Sequence, residues 1–538
     1  MAVGAGVAGI ALVGCGDDDD DEPTNGGTGT ATGTATATET GAAGQPKTGG
    51  TLRVHMGGSP RSLDPHFDTF PYNTAVTNNT NERLLKWAPD FSEIQTELAD
   101  AMPEQADELT FTFKIKSGVK FHNVDPVNGR EFTSEDVKYS IERQMTDEAG
   151  KYQHAYFFLN RIDTIETPDA TTVVFKTKAP YAPFLSYMAS PWTVMIAREA
   201  VEKFGDLTQT AIGTGPFLFK EWQKDVKIDI VKNPDYWQPG IPYLDAISYI
   251  IAVDPDTAAT LYIEKQVDAI ITGQAQLNRV KDAREKDSTY KIVPSQFWRQ
   301  MRMPPTTKEK PYKPPFDDIR VREAIVRAVN AKQVLDLVHN GDGVLTYGPI
   351  LPIYPLWTLK EELAGFDLQK AKELMDAAGN PRVSGPMIWA TGSPQADQIG
   401  EVLKQQLAEI GVEVELTPME LAAYYNQTYS YDYTFSHHVP LNNPDPDENL
   451  SSYFGRNSTF YKHYNEAIWA KIDEQAQELD VEKRQAIVQE AQRMIVLDFP
   501  MKFMFTTNLH QFTDQKVKGW FYPTDLYDGR KAEAWLDA

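Results

Sequence analysis

The chain has 538 residues, 41% of them hydrophobic and 11% aromatic, which is more core than one ordinary domain needs, so two or three domains are expected. Its net charge of −24 argues against a nucleic-acid partner, because a phosphate backbone is gripped through clustered Lys and Arg, and suits a solvated surface outside the cell. A single cysteine, Cys15, rules out an intrachain disulfide framework and a multi-cysteine metal site.

The first residues form an apolar run from Val3 to Gly14, shorter than the roughly 20 residues that span a bilayer. It ends in Leu12-Val13-Gly14-Cys15, which is similar to a bacterial lipobox, whose cysteine is lipidated and becomes the first mature residue. Residues 1–15 then read as a lipoprotein signal peptide, with a free thiol in a frayed tail as the alternative. No Lys or Arg precedes Cys15, so a basic segment is expected upstream of Met1. An acidic run, Asp17 to Glu22, and a Gly/Thr/Ala tract to about Gly50 carry almost nothing to bury, and residues 16–50 read as a flexible tether.

Thr51 to Met56 reads as a strand, Ser62 to His66 as a turn and Asn73 to Trp87 as a helix. From Leu109 to Lys116 apolar and polar residues alternate, with Phe111, Phe113 and Ile115 on one side, as in a strand with one buried face. After loops at Asp125-Pro126 and Asn128-Gly129, Thr133 and Asp136 form a capping box for a helix whose Val137, Ile141 and Met145 share a face. Thr172 to Thr177 is a further strand. Gly213-x-Gly215 is followed by Pro216-Phe217 and a strand rather than a helix, so it reads as a tight turn and not a phosphate loop. Strands at Ile228 to Val231, Ala246 to Val253 and Val267 to Ile271, with a helix from about Asp256 to Lys265, give a mixed sheet flanked by helices.

The chain extends again near Phe297 to Met303 and enters a helix from Asp317 to Asn330 with the buried stripe Val321, Ala324, Ile325 and Ala328. A crossover unit follows: strand Met387 to Ala390, helix Gln395 to Ile410 ended by Gly411, and strand Val412 to Leu416. Helices at His463 to Leu479 and Val481 to Leu497 precede a strand at Phe499 to Thr507.

The segment Leu109 to Arg143 closely resembles the signature of the bacterial extracellular solute-binding proteins of family 5, the peptide and nickel type that feed ABC importers. Further islands match in order: Ser62-Leu63-Asp64-Pro65, Gly213-Thr214-Gly215-Pro216-Phe217, Asn233-Pro234-Asp235-Tyr236-Trp237, Tyr243-Leu244-Asp245, Asp318 to Ala324, and Asp445-Pro446-Asp447. The resemblance covers the chain from about residue 50 onward. It implies an α/β, two-lobed periplasmic-binding-protein-like fold (class II, cluster C) with an extra domain inserted in the first lobe. The first lobe would comprise 51–81, 213–298 and 508–538, the inserted domain 82–212 and the second lobe 299–507. The chain would cross between lobes twice, forming a hinge over a cleft. Implied partners are a solute, ABC permease subunits and a membrane reached through lipidated Cys15; a monomer is expected, with no cofactor and no metal.

In peptide-binding relatives a loop upstream of the Asp-Pro-Asp motif supplies a tryptophan and an aspartate that meets the peptide's α-ammonium. Here counting back from Asp445 places Asn442 and Val439 at those positions, and counting forward from Asp432 lands on Leu441 and His438. A neutral Asn accepts a hydrogen bond but does not neutralise an ammonium, so a neutral solute such as an oligosaccharide, or a displaced carboxylate, stays open beside an oligopeptide. Asp445 and Asp447 also read as turn and cap residues. His437-His438 with Asp445 or His463 suggests a metal only weakly, because adjacent strand residues face opposite ways.

Other ligand candidates are aromatic residues near strand ends and loops: Phe70, Tyr72, Trp192, Trp298, Trp357, Trp389, Tyr424 and Tyr425. By position in the family, Thr69 to Pro71 could offer backbone to an extended peptide. Arg299 sits where a hinge strand meets a ligand carboxylate or an interlobe salt bridge. A hydrolase is the competing class, yet no G-x-S-x-G elbow or H-E-x-x-H helix is present.

Overall fold

A computed structural model describes residues 45–68, 71–145, 161–430, 433–441, 443–458, 461–520 and 531–537. Cys15, most of the expected tether, Thr69, Phe70 and Asn442 lie outside them. The last part of the expected tether is bonded to the body: Gly49 N–H donates to the Tyr243 carbonyl, Gly50 N–H to the Asp245 carboxylate, and Lys47 pairs with Asp537.

The molecule is two-lobed, and the lobes share one mixed sheet. Its strand order is Val412–Met419, Val383–Ala390, Phe435–His438, Ser288–Arg302, Met501–Asp514, Ala269–Thr272, Thr51–Met56, Ala246–Ile251, Lys227–Lys232 and Phe217–Gln223. A short strand, Gly343–Leu345, adds to Met501–Asp514 off this path. Strands from residues 51–272 thus lie at one end and strands from residues 383–438 at the other. The two members that join them are long: Ser288–Arg302 has 15 residues and Met501–Asp514 has 14. Sequence patterning points only to their second-lobe halves, near Phe297 to Met303 and Phe499 to Thr507. The other halves carry no clean alternation: Asn508 to Asp514 has strand partners on both sides, whereas Thr289 to Val293 is paired on one side only and is largely exposed. The pair breaks register between Pro294 and Trp298 and again between Arg299 and Gln300, placing irregular backbone where the lobes meet.

Leu85–Trp87 and Ile94–Thr96 form a hairpin, and Glu104–Gln105, Thr110–Lys114, Thr172–Thr177 and Ile162–Asp169 form a separate four-stranded sheet, over one core. Phe111, Phe113, Phe175 and Phe184 pack there, Phe111 and Phe184 stacked at 4.2 Å between ring centres. As the alternation requires, Phe111 and Phe113 of the strand Thr110–Lys114 point inward. The helix Ser134–Met145 begins at the expected cap, where the Asp136 carboxylate accepts from Thr133 N–H at 2.9 Å, and Arg130 holds Asp136 to Glu199. Val137 and Ile141 are buried; Met145, at the frayed end, is 36% exposed and leaves the expected stripe.

Two other expectations change. The helix expected over Asn73 to Trp87 runs Pro71–Thr80 and stops because tertiary contacts take its end: Thr80 carbonyl accepts from Gly215 N–H, and Asn81 Nδ2 donates to the Met195 and Ile212 carbonyls. Leu85–Trp87 then forms a strand with Ile94–Thr96. The Gly213-x-Gly215 turn is pressed against this helix end, where a Cβ on Gly213 would fall 2.4 Å from the Thr80 oxygen. The single helix expected over Asp317 to Asn330 is two, Ile319–Ala328 and Ala331–His339, each with its own cap, Asp318 and Asn330. The stripe Val321, Ala324, Ile325 and Ala328 is buried as read. The crossover unit is present, with Val383–Ala390 parallel to Val412–Met419 and the helix Pro394–Ala408 between them. The C-terminal strand Trp535–Leu536 returns to the first lobe and packs with Val517, Trp520 and Leu52.

Candidate functional site

The sheet explains why a cleft forms where it does. Ser288 to Pro294 pairs with Asn508 to Asp514, whose other neighbour is the first-lobe strand Ala269–Thr272. Trp298 to Arg302 pairs with Met501 to Thr506, and Gln300 to Arg302 also pairs with His438 to Ser436 of the second lobe. Residues 295–299 therefore lie at the exchange of partners, stitched by Thr506 Oγ1, which donates to the Ser295 and Phe297 carbonyls at 2.8 Å.

On the first-lobe side a cavity of about 280 Å³ is lined by Val54, Met56, Tyr72, Tyr249, Phe297 and Leu509, among others. Tyr72 opens the helix Pro71–Thr80, and its ring lies flat against the Gly57-Gly58 turn: a Cβ on Gly58 would sit 2.7 Å from it, so only glycine permits this approach. Burial pushes the Tyr72 phenol up.

Phe297 bridges to Leu441, and Trp298 N–H donates to the Pro440 carbonyl, so the segment after His438 runs along the hinge strand. Leu441 also meets Trp192, which clusters with Trp87 and Phe91 of the inserted domain. Asn442 follows Leu441 in the chain. On the second-lobe side the Tyr424 hydroxyl lies 2.5 Å from His438 Nδ1 and 3.1 Å from Ser436 Oγ, and the two rings stack at 5.9 Å. Burial, then the Arg302 charge, holds the His438 imidazole well below its usual range, so it is neutral and accepts from the tyrosine. Burial raises the neighbouring Tyr425 phenol, partly offset by Arg302 of the second lobe and Arg61 of the first, which places this ring between charges from both lobes.

Arg299 retains solvent contact at the crossing, yet burial pulls its guanidinium down from 12.5 to about 10. No ion pair or hydrogen bond reaches it among the described residues. His339 and His437 lie near it; burial and then the Arg299 charge lower them to about 4 and about 3, and the Nε2 of each has no hydrogen-bond partner among the described residues. The expected interlobe salt bridge of Arg299 is thus absent among those residues, and the surroundings offer donors without a carboxylate.

Several sequence candidates sit elsewhere. Trp298, beside Arg299, turns to the opposite face and is buried in the second lobe, stacked on Phe503 at 5.4 Å. Trp389 donates to Asp397 at 2.8 Å in a separate second-lobe groove of about 540 Å³. Trp357 lies under the Arg484 guanidinium. Asp445, expected as a ligand contact, is the N-cap of the helix Pro446–Phe454, accepts from Asp447 N–H and is paired with Arg484 at 2.6 Å inside the protein. Its partner Asp447 is not the cap but an anchor, taking Tyr181 at 2.9 Å, Tyr187 at 3.3 Å, Gln475 at 2.7 Å and Ser451 at 2.7 Å. His437 and His438 face opposite sides, and His463 is bound to Asp498 at 2.7 Å. The structure thus puts Tyr72 on the cavity of about 280 Å³, Trp192 against Leu441, and Tyr424 beside His438 and Tyr425. It adds Phe297, Tyr249, Leu441 and Leu509, which no local motif marks, because only strand register brings them there.

Two long strands, Ser288–Arg302 and Met501–Asp514, run through one sheet and exchange partners midway, with a cavity of about 280 Å³ beside that exchange, an arrangement suited to a two-lobed ligand-binding protein. The chain belongs to the bacterial extracellular solute-binding proteins, family 5, whose family model for the middle region matches residues 93–461. It is similar to the glutathione-binding protein GsiB of Pectobacterium atrosepticum, 26% identical over 493 residues, covering 88% of this chain and 91% of that one. The di/tripeptide-binding protein 1 of Pseudomonas aeruginosa is 27% identical over 488 residues, with 84% and 88% covered. The fold matches that of the ABC transporter-associated periplasmic binding protein DppA from Helicobacter pylori, solved with the peptide STSA, at a TM-score of 0.79 and 24% identity over 91% of this chain and 99% of that one. Among the described residues no helix is long and apolar enough to cross a membrane.

Proposed function

We propose that this protein is the solute-binding component of an ABC importer, that its solute is an oligopeptide, and that it delivers the solute unaltered to permease subunits. The observation that carries this reading is the pair of long strands, Ser288–Arg302 and Met501–Asp514, shared by both halves of one sheet, because a ligand that touches both halves favours the closed arrangement by its differential contacts. Relatives named for glutathione and for di- and tripeptides support a peptide of short length. The reading includes attachment of a monomer outside the cell through lipidated Cys15, with residues 16 to about 46 as tether. It assigns 51–81, 213–298 and 508–538 to the first lobe, 82–212 to the inserted domain and 299–507 to the second lobe.

Within the cleft, Tyr72, Trp192 and Tyr424 pack on the solute, His438 and Asn442 supply hydrogen bonds, and Thr69 and Phe70 lend backbone to an extended chain. Arg299 meets the solute's carboxylate; its want of an anion and its solvent contact support this role. Asp445 supports the loop rather than touching solute.

Native mass spectrometry of the purified full chain tests the reading: a co-purified peptide of intact mass is expected. Recovery of cleaved fragments that accumulate with time would replace binding by hydrolysis. A bound oligosaccharide would keep the importer reading and change the solute.

A further inference from the structure

The cavity of about 280 Å³ is built for one kind of chemical group. Val54 and Met56, two residues apart on one strand, share a face, and together with Tyr249 of the next strand and Ala75 of the helix Pro71–Thr80 they form a buried floor. Around it stand Tyr72, Ile271, Phe297 and Leu509, each only partly buried. Phe297 and Leu509 come one from each of the two long strands, so the opening lies beside their exchange of partners. Four large apolar side chains left partly wet around one hollow are a cost to the empty protein, because that surface forgoes the gain of burial.

Nothing in the lining competes for a polar guest. It contains no Asp, Glu, Lys or Arg. Its one imidazole, His55, lies with Nε2 2.9 Å from the Ala252 carbonyl, and burial lowers its pKa, so it carries no charge at neutral pH. The Tyr249 hydroxyl donates to the Ala75 carbonyl at 2.5 Å. The void of roughly 150 Å³ that takes a benzene ring in another protein is about half this size, so a phenol or an indole fits here and a second residue does not. Tyr72, Tyr249 and Phe297 offer ring edges and faces and Met56 a thioether, all of which favour an aromatic guest over an aliphatic one of equal area.

We infer that this cavity is a subsite for one aromatic side chain of the solute, and that through it the protein selects peptides carrying Phe or Trp over peptides whose side chains are all small or charged. The inference rests on the peptide reading above. Moving a phenyl ring from water to these walls is worth about 10- to 100-fold in affinity. A carboxylate or ammonium placed there sheds its water and meets no opposite charge.

Titration calorimetry on the full chain decides it, with Ala-Ala-Ala and the tripeptides in which each alanine in turn is replaced by Phe, Trp, Glu or Lys. At one position Phe or Trp is expected to bind about 10- to 100-fold tighter than Ala, and Glu and Lys no tighter than Ala. In Ala75→Leu, which puts a side chain into the cavity, the ratio of Phe to Ala falls below about threefold; in Leu509→Ala, which widens it, Trp gains on Phe. An aromatic advantage below about threefold at all three positions in the wild type, or one that survives in Ala75→Leu, overturns the subsite while the peptide reading stands. Should Ala75→Leu fail to fold, an unchanged ratio of Trp to Phe in Leu509→Ala overturns it equally. If none of the tripeptides binds the wild type, the peptide reading fails and the subsite with it.

Discussion

A guanidinium held largely buried where the sheet exchanges partners, with no anion among the described residues, is expensive, because burial strips most of its water. Arg299 is in that position, its pKa drawn down to about 10 by burial alone. Arg299→Gln is therefore expected to leave the urea midpoint unchanged or raise it. The same change should weaken a tripeptide with a free C-terminus about tenfold and its C-terminal amide hardly at all, read by calorimetry. Equal affinity of acid and amide in the wild type would remove Arg299 from the site. A different residue-scale contact is Tyr424: in Tyr424→Phe the buried Nδ1 of His438 loses its donor, at a cost of about 1–3 kcal/mol in stability by chemical denaturation.

Among the elements, the short helix Pro446–Phe454 is the best-anchored. Its cap Asp445 also neutralises Arg484, and its first turn is fixed through Asp447 to Tyr181 and Tyr187. Asp445→Ala removes a cap and leaves a buried arginine unpaired, and it should cost about 3–5 kcal/mol in urea denaturation. Pairing it with Arg484→Met should restore more than half of that loss, because the uncompensated charge goes with it. A helix held only by its own propensity would show no such recovery. The end of the helix Pro71–Thr80 is set from outside, by glycines too close to carry a side chain. A Cβ on Gly215 would lie 2.6 Å from the Thr80 carbonyl carbon, so Gly215→Ala should lower the melting temperature by several degrees, measured by calorimetry.

The whole molecule carries buried neutral histidines that tie its parts together. His66 Nε2 lies 2.9 Å from the Val194 carbonyl and its Nδ1 3.0 Å from Arg143; His122 Nε2 lies 3.1 Å from the Gly215 carbonyl and its Nδ1 accepts from Gly213 N–H. Each ring must donate at one nitrogen and accept at the other, which only the neutral form does. Burial lowers both from 6.5 to about 4. A base with a depressed folded pKa stabilises fully above the unfolded value and loses that contribution as pH falls through the folded one. Stability is thus expected to drop between about pH 6.5 and 4, by on the order of 1–2 kcal/mol per histidine at pH 5. Urea midpoints across that range check it, and His122→Gln should flatten the slope. At the same scale, a solute that touches both lobes should shrink the radius of gyration in small-angle scattering; an unchanged profile at saturation would remove hinge closure.

Sequence by itself determined the local grammar: the alternation at Phe111 and Phe113, the capping box of Thr133 and Asp136, the stripe from Val321 to Ala328, the crossover around Pro394–Ala408, and the ordered islands that mark the family. These are decided by neighbours within a turn or a strand. The motif Asp445-Pro446-Asp447 was legible as a turn and cap, but its task of joining the inserted domain to the second lobe was not, since Tyr181 and Tyr187 are far away in the chain. Trp298 and Arg299 show the limit most plainly: adjacent residues on one strand, equal as candidates in sequence, are sent to opposite faces, one into a core and one to the cleft. Tertiary structure alone decided that, and it alone placed Phe297 and Leu509 at one cavity and Leu441 against Phe297. Side-chain direction in a sheet depends on register across strands, and register is a long-range property that no short window of residues contains.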